Sequence, residues 1–431
     1  MSLTPFYPFR KLCQETCLHS VSRLYERASQ QVGLDYQAHP FWDSYLKFEE
    51  RYENYVNIVA ICERMAHIPL QKYRDYFDRF RSLLAYRPLD ELAKAIPIIA
   101  KWQAESQQAM PQAGPQEFDR ELRSRIDAHY MGVYNGINGE VLKRAVHEDG
   151  IKRPYFHVTE IEDSELTVWR KYLDFEEAEG NYERTKFLYE RCVVICALYE
   201  EFWLRYVRWL SAQRDKSEEV RIVYQRACTI FVPIVKPTIR LQYALFEEVQ
   251  ERTQVARDMH IAILEQLPSH LDTIVSLANL ERRHGGIDAA IEVYKSYITS
   301  SDTDLFAKGA LVAEWANMLW KVKGSPEEAR DIFQSQAEYY AGSRPFWVNY
   351  FFFELQQVDS SPKQFKRVRK VFDDTAHRSQ ILPAAIKDLA AHYKAYLLER
   401  GSGEAAKEFL KVDREVNGYD SAPRTKIATL C

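Results

Sequence analysis

The stretch TVWRKYLDFEEAEGNYERTKFLYERCVVIC (Thr167–Cys196) sets Trp169, Tyr172 and Phe175 at i, i+3 and i+6, reaches Gly180, and resumes with Tyr189, Glu190 and Arg191. The first spacing keeps three bulky rings on one stripe of a helix. The glycine sits where a helix end favours left-handed backbone, and the second run opens another helix. The same pattern recurs along the chain. FWDSYLKFEE supplies Trp42, Tyr45, Leu46, Phe48 and Glu49, and Glu63 follows Glu49 at the same 14-residue offset that separates Glu176 from Glu190. FWLRYVRWL gives Trp203, Tyr206 and Val207, answered by Tyr224 and Arg226. RLQYALFEE gives Tyr243, Phe246 and Glu247, with Arg240 where the Trp would be. Leu277, Leu280, Glu281 and Gly285 form a copy completed by Tyr294, and Trp347, Tyr350, Phe353 and Glu354 form one answered by Phe372. A looser copy surrounds Trp315 and Phe333. Trp169 to Trp203, and Glu247 to Glu281, are both 34 residues.

A helix pair with one apolar stripe buries that stripe only against a neighbouring pair. The expected fold is therefore all-α: a TPR-like helical-repeat solenoid, a superhelix of antiparallel helix pairs in two blocks. Residues 1–97 form an N-terminal repeat block, 98–160 a linker with a long connecting helix, and 161–431 a C-terminal block. The break QQAMPQAGPQ, with Pro111, Gly114 and Pro115, punctuates the linker. VSRLYERAS (Val21–Ser29) reads as the second helix of a repeat whose first helix is poor or absent. The chain is thus expected to lack one or more N-terminal repeats.

Twenty-seven Tyr, 22 Phe and 8 Trp against only 15 Gly suit long helices locked by large residues. A net charge of −4 argues against a protein held to nucleic acid mainly through phosphates, so any RNA contact is expected to be local and protein partners are favoured. Seven scattered Cys, an odd number, read as reduced thiols of an intracellular protein. The start MSLTPFYPFRKLCQ has no secretory h-region, and FWVNYFFFEL is too short to span a bilayer.

Because Trp169, Trp203 and Trp347 recur at one repeat position, they read as core, with Trp42, Tyr45, Tyr172, Tyr189, Tyr206, Tyr224, Tyr243, Tyr294 and Tyr350. The recurring Glu49, Glu176, Glu247, Glu281 and Glu354 are expected to pair with Arg, or to cap backbone groups, in a neighbouring helix. Cys192 and Cys196, like Cys13 and Cys17, are spaced i, i+4 without a His pair, so they read as buried thiols rather than metal ligands. No cofactor is expected, and the scattered His residues form no nucleophile–base or H-E-x-x-H arrangement, so no enzyme is expected. KQFKRVRK places Lys363, Lys366, Arg367, Arg369 and Lys370 on one helix. Two readings stay open for them: a solvated face, on which charge reversal at Arg367 and Arg369 is tolerated, or a local contact to RNA or an acidic protein. IKRPYFHV (Ile151–Val158) is either a packed connector or a partner-docking element.

The Trp-x-x-Tyr-Leu-x-Phe-Glu and Tyr-Glu-Arg halves resemble the HAT (half-a-tetratricopeptide) repeat, and the resemblance covers most of residues 20–400. VGLDYQAHPFWDSYLKFEER (32–51), HIPLQKYRDYFDRF (67–80) and IKRPYFHVTEIEDSELTVWRKYLDFEE (151–177) resemble the pre-mRNA-processing factor 39 family more closely. IKRPYFHV discriminates best, since it lies outside the repeat pattern. The resemblance implies a nuclear, non-enzymatic scaffold of the U1 small nuclear ribonucleoprotein (snRNP), acting in mRNA splicing when the 5′ splice site is recognised. It also implies dimerisation through C-terminal repeats, as a homodimer or with a related paralogue, and contact with U1 snRNP proteins including the U1C zinc-finger protein. A HAT scaffold of 3′-end cleavage or ribosome biogenesis is the alternative.

Overall fold

The computed structural model describes residues 7–109, 114–357, 362–401 and 403–418. Cys431, and residues 110–113 of the proline–glycine break, lie outside the described residues, as do the side chains of Cys13 and Cys17. The described residues form 21 α-helices and one π-helical turn, with no strand. In chain order they begin with α1 (Tyr7–Val32), α2 (His39–Arg51), α3 (Tyr55–Ala66), α4 (Tyr73–Tyr86), α5 (Leu89–Ala95), α6 (Pro97–Ala109) and α7 (Pro115–Glu148). There follow α8 (Asp163–Glu179), α9 (Tyr182–Ile195), α10 (Glu200–Ser211), α11 (Ser217–Arg226), the π-turn Ala227–Phe231, α12 (Thr238–Val249), α13 (Thr253–Gln266) and α14 (Leu271–Gly285). The chain continues with α15 (Ile287–Thr299), α16 (Leu305–Lys321), α17 (Pro326–Gln336), α18 (Arg344–Leu355), α19 (Pro362–His377), α20 (Pro383–Arg400) and α21 (Ala405–Asn417).

Short polar turns fix the ends of these helices. Asn54, Asn181, Asp304 and Ser343 each accept a hydrogen bond from the backbone N–H three residues on, satisfying a donor the first turn leaves open. Gly180 closes α8 at φ 74°, a conformation that a side chain would strain.

Two compact units divide the chain between Trp209 and Leu210. In the first, α2 packs on α3, α8 on α9, and α7 lies against α3, α4, α6 and α8. The segment 98–160 thus packs as part of this unit. Tyr134 of α7 stacks on Tyr73 and Tyr130 meets Phe80 edge-on, while the Arg123 guanidinium donates to the carbonyls of Leu84 and Arg87. In the second unit first helices pack on their own partners and, from α14 on, on the next first helix, as α14 does on α15 and α16, and α16 on α17 and α18. This ladder buries stripes that a single hairpin leaves wet.

Three of the tryptophans also staple the connectors. Trp42 Nε1 donates to Gly33 O at 3.2 Å, Trp203 Nε1 to Ala197 O at 2.8 Å, and Trp347 Nε1 to Ala341 O at 3.1 Å. Gly33 permits this approach, since an added Cβ would sit 2.9 Å from the Trp42 ring and 2.3 Å from the Ser29 carbonyl oxygen. Arg240, at the Trp position of its repeat, does the same work with hydrogen bonds to the carbonyls of Cys228, Val232 and Pro233. Trp347→Ala is expected to cost about 3–5 kcal/mol, and Trp347→Phe, which keeps a ring but loses the N–H donor, about 1 kcal/mol. Urea unfolding followed by circular dichroism measures both; equal losses would mean the connector bond contributes nothing.

Candidate interaction surfaces and the buried clasp between repeats

Glu176, Glu247 and Glu354 are each only 1% exposed, a burial that an ionised carboxylate tolerates only when paired. Each receives an arginine from the second helix of the preceding repeat. Arg144 binds Glu176 with two hydrogen bonds of 2.7 and 3.0 Å, Arg221 Nε reaches Glu247 at 2.7 Å, and Arg330 Nε reaches Glu354 at 2.5 Å. Arg257 pairs with the less buried Glu281 in the same two-pronged way. The guanidinium also lies over the ring one residue before the Glu: Phe175 at 5.2 Å, Phe246 at 5.6 Å and Phe353 at 5.5 Å. Three residues beyond each arginine, a ring stacks on the Tyr four residues before the Glu. His147 stacks on Tyr172, Tyr224 on Tyr243 and Phe333 on Tyr350, at 5.0, 5.0 and 4.8 Å between centroids. One clasp therefore joins Arg-x-x-aromatic on a second helix to Tyr-x-x-Phe-Glu on the next first helix.

A reciprocal clasp appears in the first unit. Glu26 accepts two hydrogen bonds from Arg64, at 2.8 and 3.0 Å, and one from the Tyr45 hydroxyl at 2.6 Å. The Arg64 guanidinium holds the Glu26 carboxyl below its ordinary range, against the opposing effect of burial. Glu148 receives Arg191 in the same way at 2.6 and 2.8 Å. Arg144, His147 and Glu148 thus repeat the spacing of Ser22, Tyr25 and Glu26. The C-terminal end of α7 is a second repeat helix that sequence inspection passed over as linker. Its signal is RAVHE (144–148) against SRLYE (22–26), hidden because a 34-residue helix breaks the period and His stands for Tyr.

All twelve aromatic positions named as repeat core, from Trp42 to Tyr350, are buried. Cys62, Cys192 and Cys196 are buried free thiols; burial pushes Cys62 up to about 12 and Cys192 well above its ordinary value. Among the described residues, no group of three His, Cys, Asp or Glu is placed to hold a metal ion, and no helix is long and apolar enough to cross a membrane.

The five basic residues of α19 separate into two sets. Lys363, Lys366 and Lys370 are exposed, whereas Arg367 and Arg369 are partly covered. Arg367 Nε lies 3.6 Å from the buried Glu354, and Arg369 lies 3.3 Å from Glu408 and 3.8 Å from Asp373. Charge reversal at the two arginines would therefore set negative charge beside Glu354, which keeps Arg330, and take the cation from Glu408, so these two positions are not the solvated face on which reversal was expected to be tolerated. Ile151–Val158 is anchored but outward-facing. The Arg153 guanidinium donates to the carbonyls of Thr159 and Glu160, and its backbone N–H to Glu165. Tyr155 and Val158 nonetheless stand 62% and 72% exposed, so this connector is not packed through its side chains.

Comparison with known proteins gives matches at two levels. Sequence-family models described as the PRP39 N-terminal and C-terminal HAT repeats match residues 8–82 and 142–283. The protein named pre-mRNA-processing factor 39 of Schizosaccharomyces pombe is 38% identical over 93% of this chain and 68% of its own length. Its Homo sapiens namesake is 28% identical over 93% of this chain and 61% of its own length. The chain thus spans about two thirds of these relatives. The crystal structure of CSTF-77 shares the fold with a TM-score of 0.61 at 13% identity, covering 93% of this chain and 79% of that one.

Two outcomes follow from the clasp. Arg330→Met, which leaves Glu354 buried without its main partner, is expected to destabilise by about 3–5 kcal/mol, and Arg330→Met/Glu354→Leu by less than the sum of the single changes. A double-mutant cycle in urea measures the coupling, and additive losses would contradict it. Burial holds His147 and His260 below the ordinary value of 6.5. The unfolded chain therefore binds more protons below that value, so stability is full above about pH 6.5 and declines as pH falls through the folded-state values. Comparing the melting temperature with that of His147→Phe/His260→Phe across this range tests it; the variant is expected to show the smaller decline.

Proposed function

Since the chain belongs to the pre-mRNA-processing factor 39 family, we propose that it is a non-enzymatic scaffold of pre-mRNA splicing in the nucleus. The observation that carries this is the 38% identity with the fission-yeast relative over 93% of the chain, well beyond what a shared repeat imposes. The finer reading is a component of the U1 snRNP that supports 5′ splice-site recognition through protein–protein contacts, with a U1C-type protein as one partner. Repeats that expend their aromatic and charged residues on one another leave recognition to the outer helix faces and connectors, which suits a scaffold. A dimer formed through the C-terminal repeats, with itself or a paralogue, belongs to the same proposal; Leu382, Leu398 and Leu410 on that side are exposed apolar residues that such a contact would cover. A likeness to CSTF-77 that extends to fold alone gives no support to the alternative of another RNA-processing complex.

Tagged protein recovered from nuclear extract is expected to bring U1 RNA and U1C with it; a bound fraction lacking both would overturn the U1 assignment. Light scattering on the purified chain is expected to give twice the monomer mass at micromolar concentration. Leu398→Glu/Leu410→Glu is expected to return it to one.

A further inference from the structure

Lys363, Lys366 and Lys370 repeat at i, i+3 and i+7, which sets three ammonium groups along one exposed face of α19. Among the described residues no ion pair engages them, whereas the two arginines between them are taken up by Glu354, Glu408 and Asp373. No acid occurs from residue 362 to residue 372, and of the two that follow, Asp373 faces Arg369 and Asp374 faces Arg378 at 3.3 Å. Among the described residues the lysine row is therefore a positive field that no ion pair offsets, in a chain whose net charge is −4.

Lys370 also borders a groove of about 780 Å³ between α17, α18 and α19. Its walls are mixed. Ala337, Ala341 and the edges of Trp347 and Tyr350 are apolar, Arg378 is a donor, and Glu338 and Asp374 are acceptors. We propose that this groove and the lysine row together dock an acidic peptide segment of a partner protein, which seats an apolar side chain in the groove and sets carboxylates along Lys363, Lys366 and Lys370.

Two observations favour a peptide over an RNA strand. The acceptor Glu338 asks for an N–H donor, which a peptide backbone supplies at every residue but proline and a phosphodiester backbone lacks. The aromatic residues of α19 are also not available as stacking platforms: Phe372 is buried, and Phe365 packs against the core. A single strand would thus meet three point charges on α19 and no base platform on that helix. The proposal concerns the surface of this chain and does not depend on which ribonucleoprotein it serves.

The test uses the purified full chain and fluorescence anisotropy with defined probes. One is a peptide of about a dozen residues, rich in Asp and Glu around a single Leu. The others are the same peptide with Lys in place of its acids, and an oligouridylate of similar length. The acidic peptide is expected to bind, to weaken as salt is raised, and to lose roughly tenfold or more in affinity with Lys363→Glu/Lys366→Glu/Lys370→Glu. Ala337→Trp, which fills the groove and leaves the lysines in place, is expected to weaken it as well. Unchanged circular dichroism and melting temperature confirm that both variants fold. Lack of binding to the acidic peptide, or equal binding by wild type and the lysine variant, would overturn the proposal. Tighter binding of oligouridylate, lost in the lysine variant, would replace the peptide with RNA. Full affinity in Ala337→Trp would remove the groove from the site.

Discussion

A carboxylate sealed between helices has to be answered by donors at fixed geometry, and this requirement organises the repeats: arginine answers Glu176, Glu247 and Glu354, and the neutral Ser22 and Asn54 answer Glu49. Glu176, Glu247 and Glu354 stand within the apolar stripe of their helices, where a lone charge would cost several kcal/mol. Arg144, Arg221 and Arg330 reach them from the preceding repeat with hydrogen bonds from the guanidinium fork. A carboxylate–arginine pair adds little net stability over a well-packed apolar substitute, but it is intolerant of slippage. Shifting one helix against the next by a turn would separate every such pair. The pairs therefore set register, and the rings around them supply the burial that stabilises it.

Those rings have distinct tasks that share one pattern. The Tyr four residues before each Glu stacks on a ring from the preceding repeat, and the Phe one residue before it lies under the arginine. Trp42, Trp203 and Trp347 tie their helices to the connector through the indole N–H, which Trp169 does not. Arg240 shows that the connector carbonyls need a donor there rather than an indole as such. In the repeat that carries Leu210 at the Glu position, the arginine is also replaced, by Lys186.

Function falls to what these contacts leave over. Chemistry on a substrate needs a group poised to react, and the buried thiols of Cys62 and Cys192 are held protonated, while the glutamates are committed to arginine. The outer faces carry what remains: the lysine row of α19, the groove beside it, and the anchored connector with Tyr155 and Val158 turned outward. Separate recognition elements displayed on packed repeats agree with the scaffold proposed above.

Sequence alone determined the helix-pair repeat, its aromatic core and the family, because these rest on residue spacing that recurs in the chain itself. The stripe Trp169, Tyr172, Phe175 is visible from periodicity, and its copies show that it packs. Tertiary structure alone decided which partner each charge takes, since the pairs join residues 24 to 32 apart on different repeats. It showed that α7 ends as a repeat helix, because the match to Ser22, Tyr25 and Glu26 lies in three-dimensional contacts and not in the 34-residue period. It also divided KQFKRVRK into two structural arginines and three exposed lysines that no ion pair engages among the described residues. A one-dimensional pattern places all five on a helix, but only the position of Glu354 and Glu408 on neighbouring helices tells which of them are already engaged.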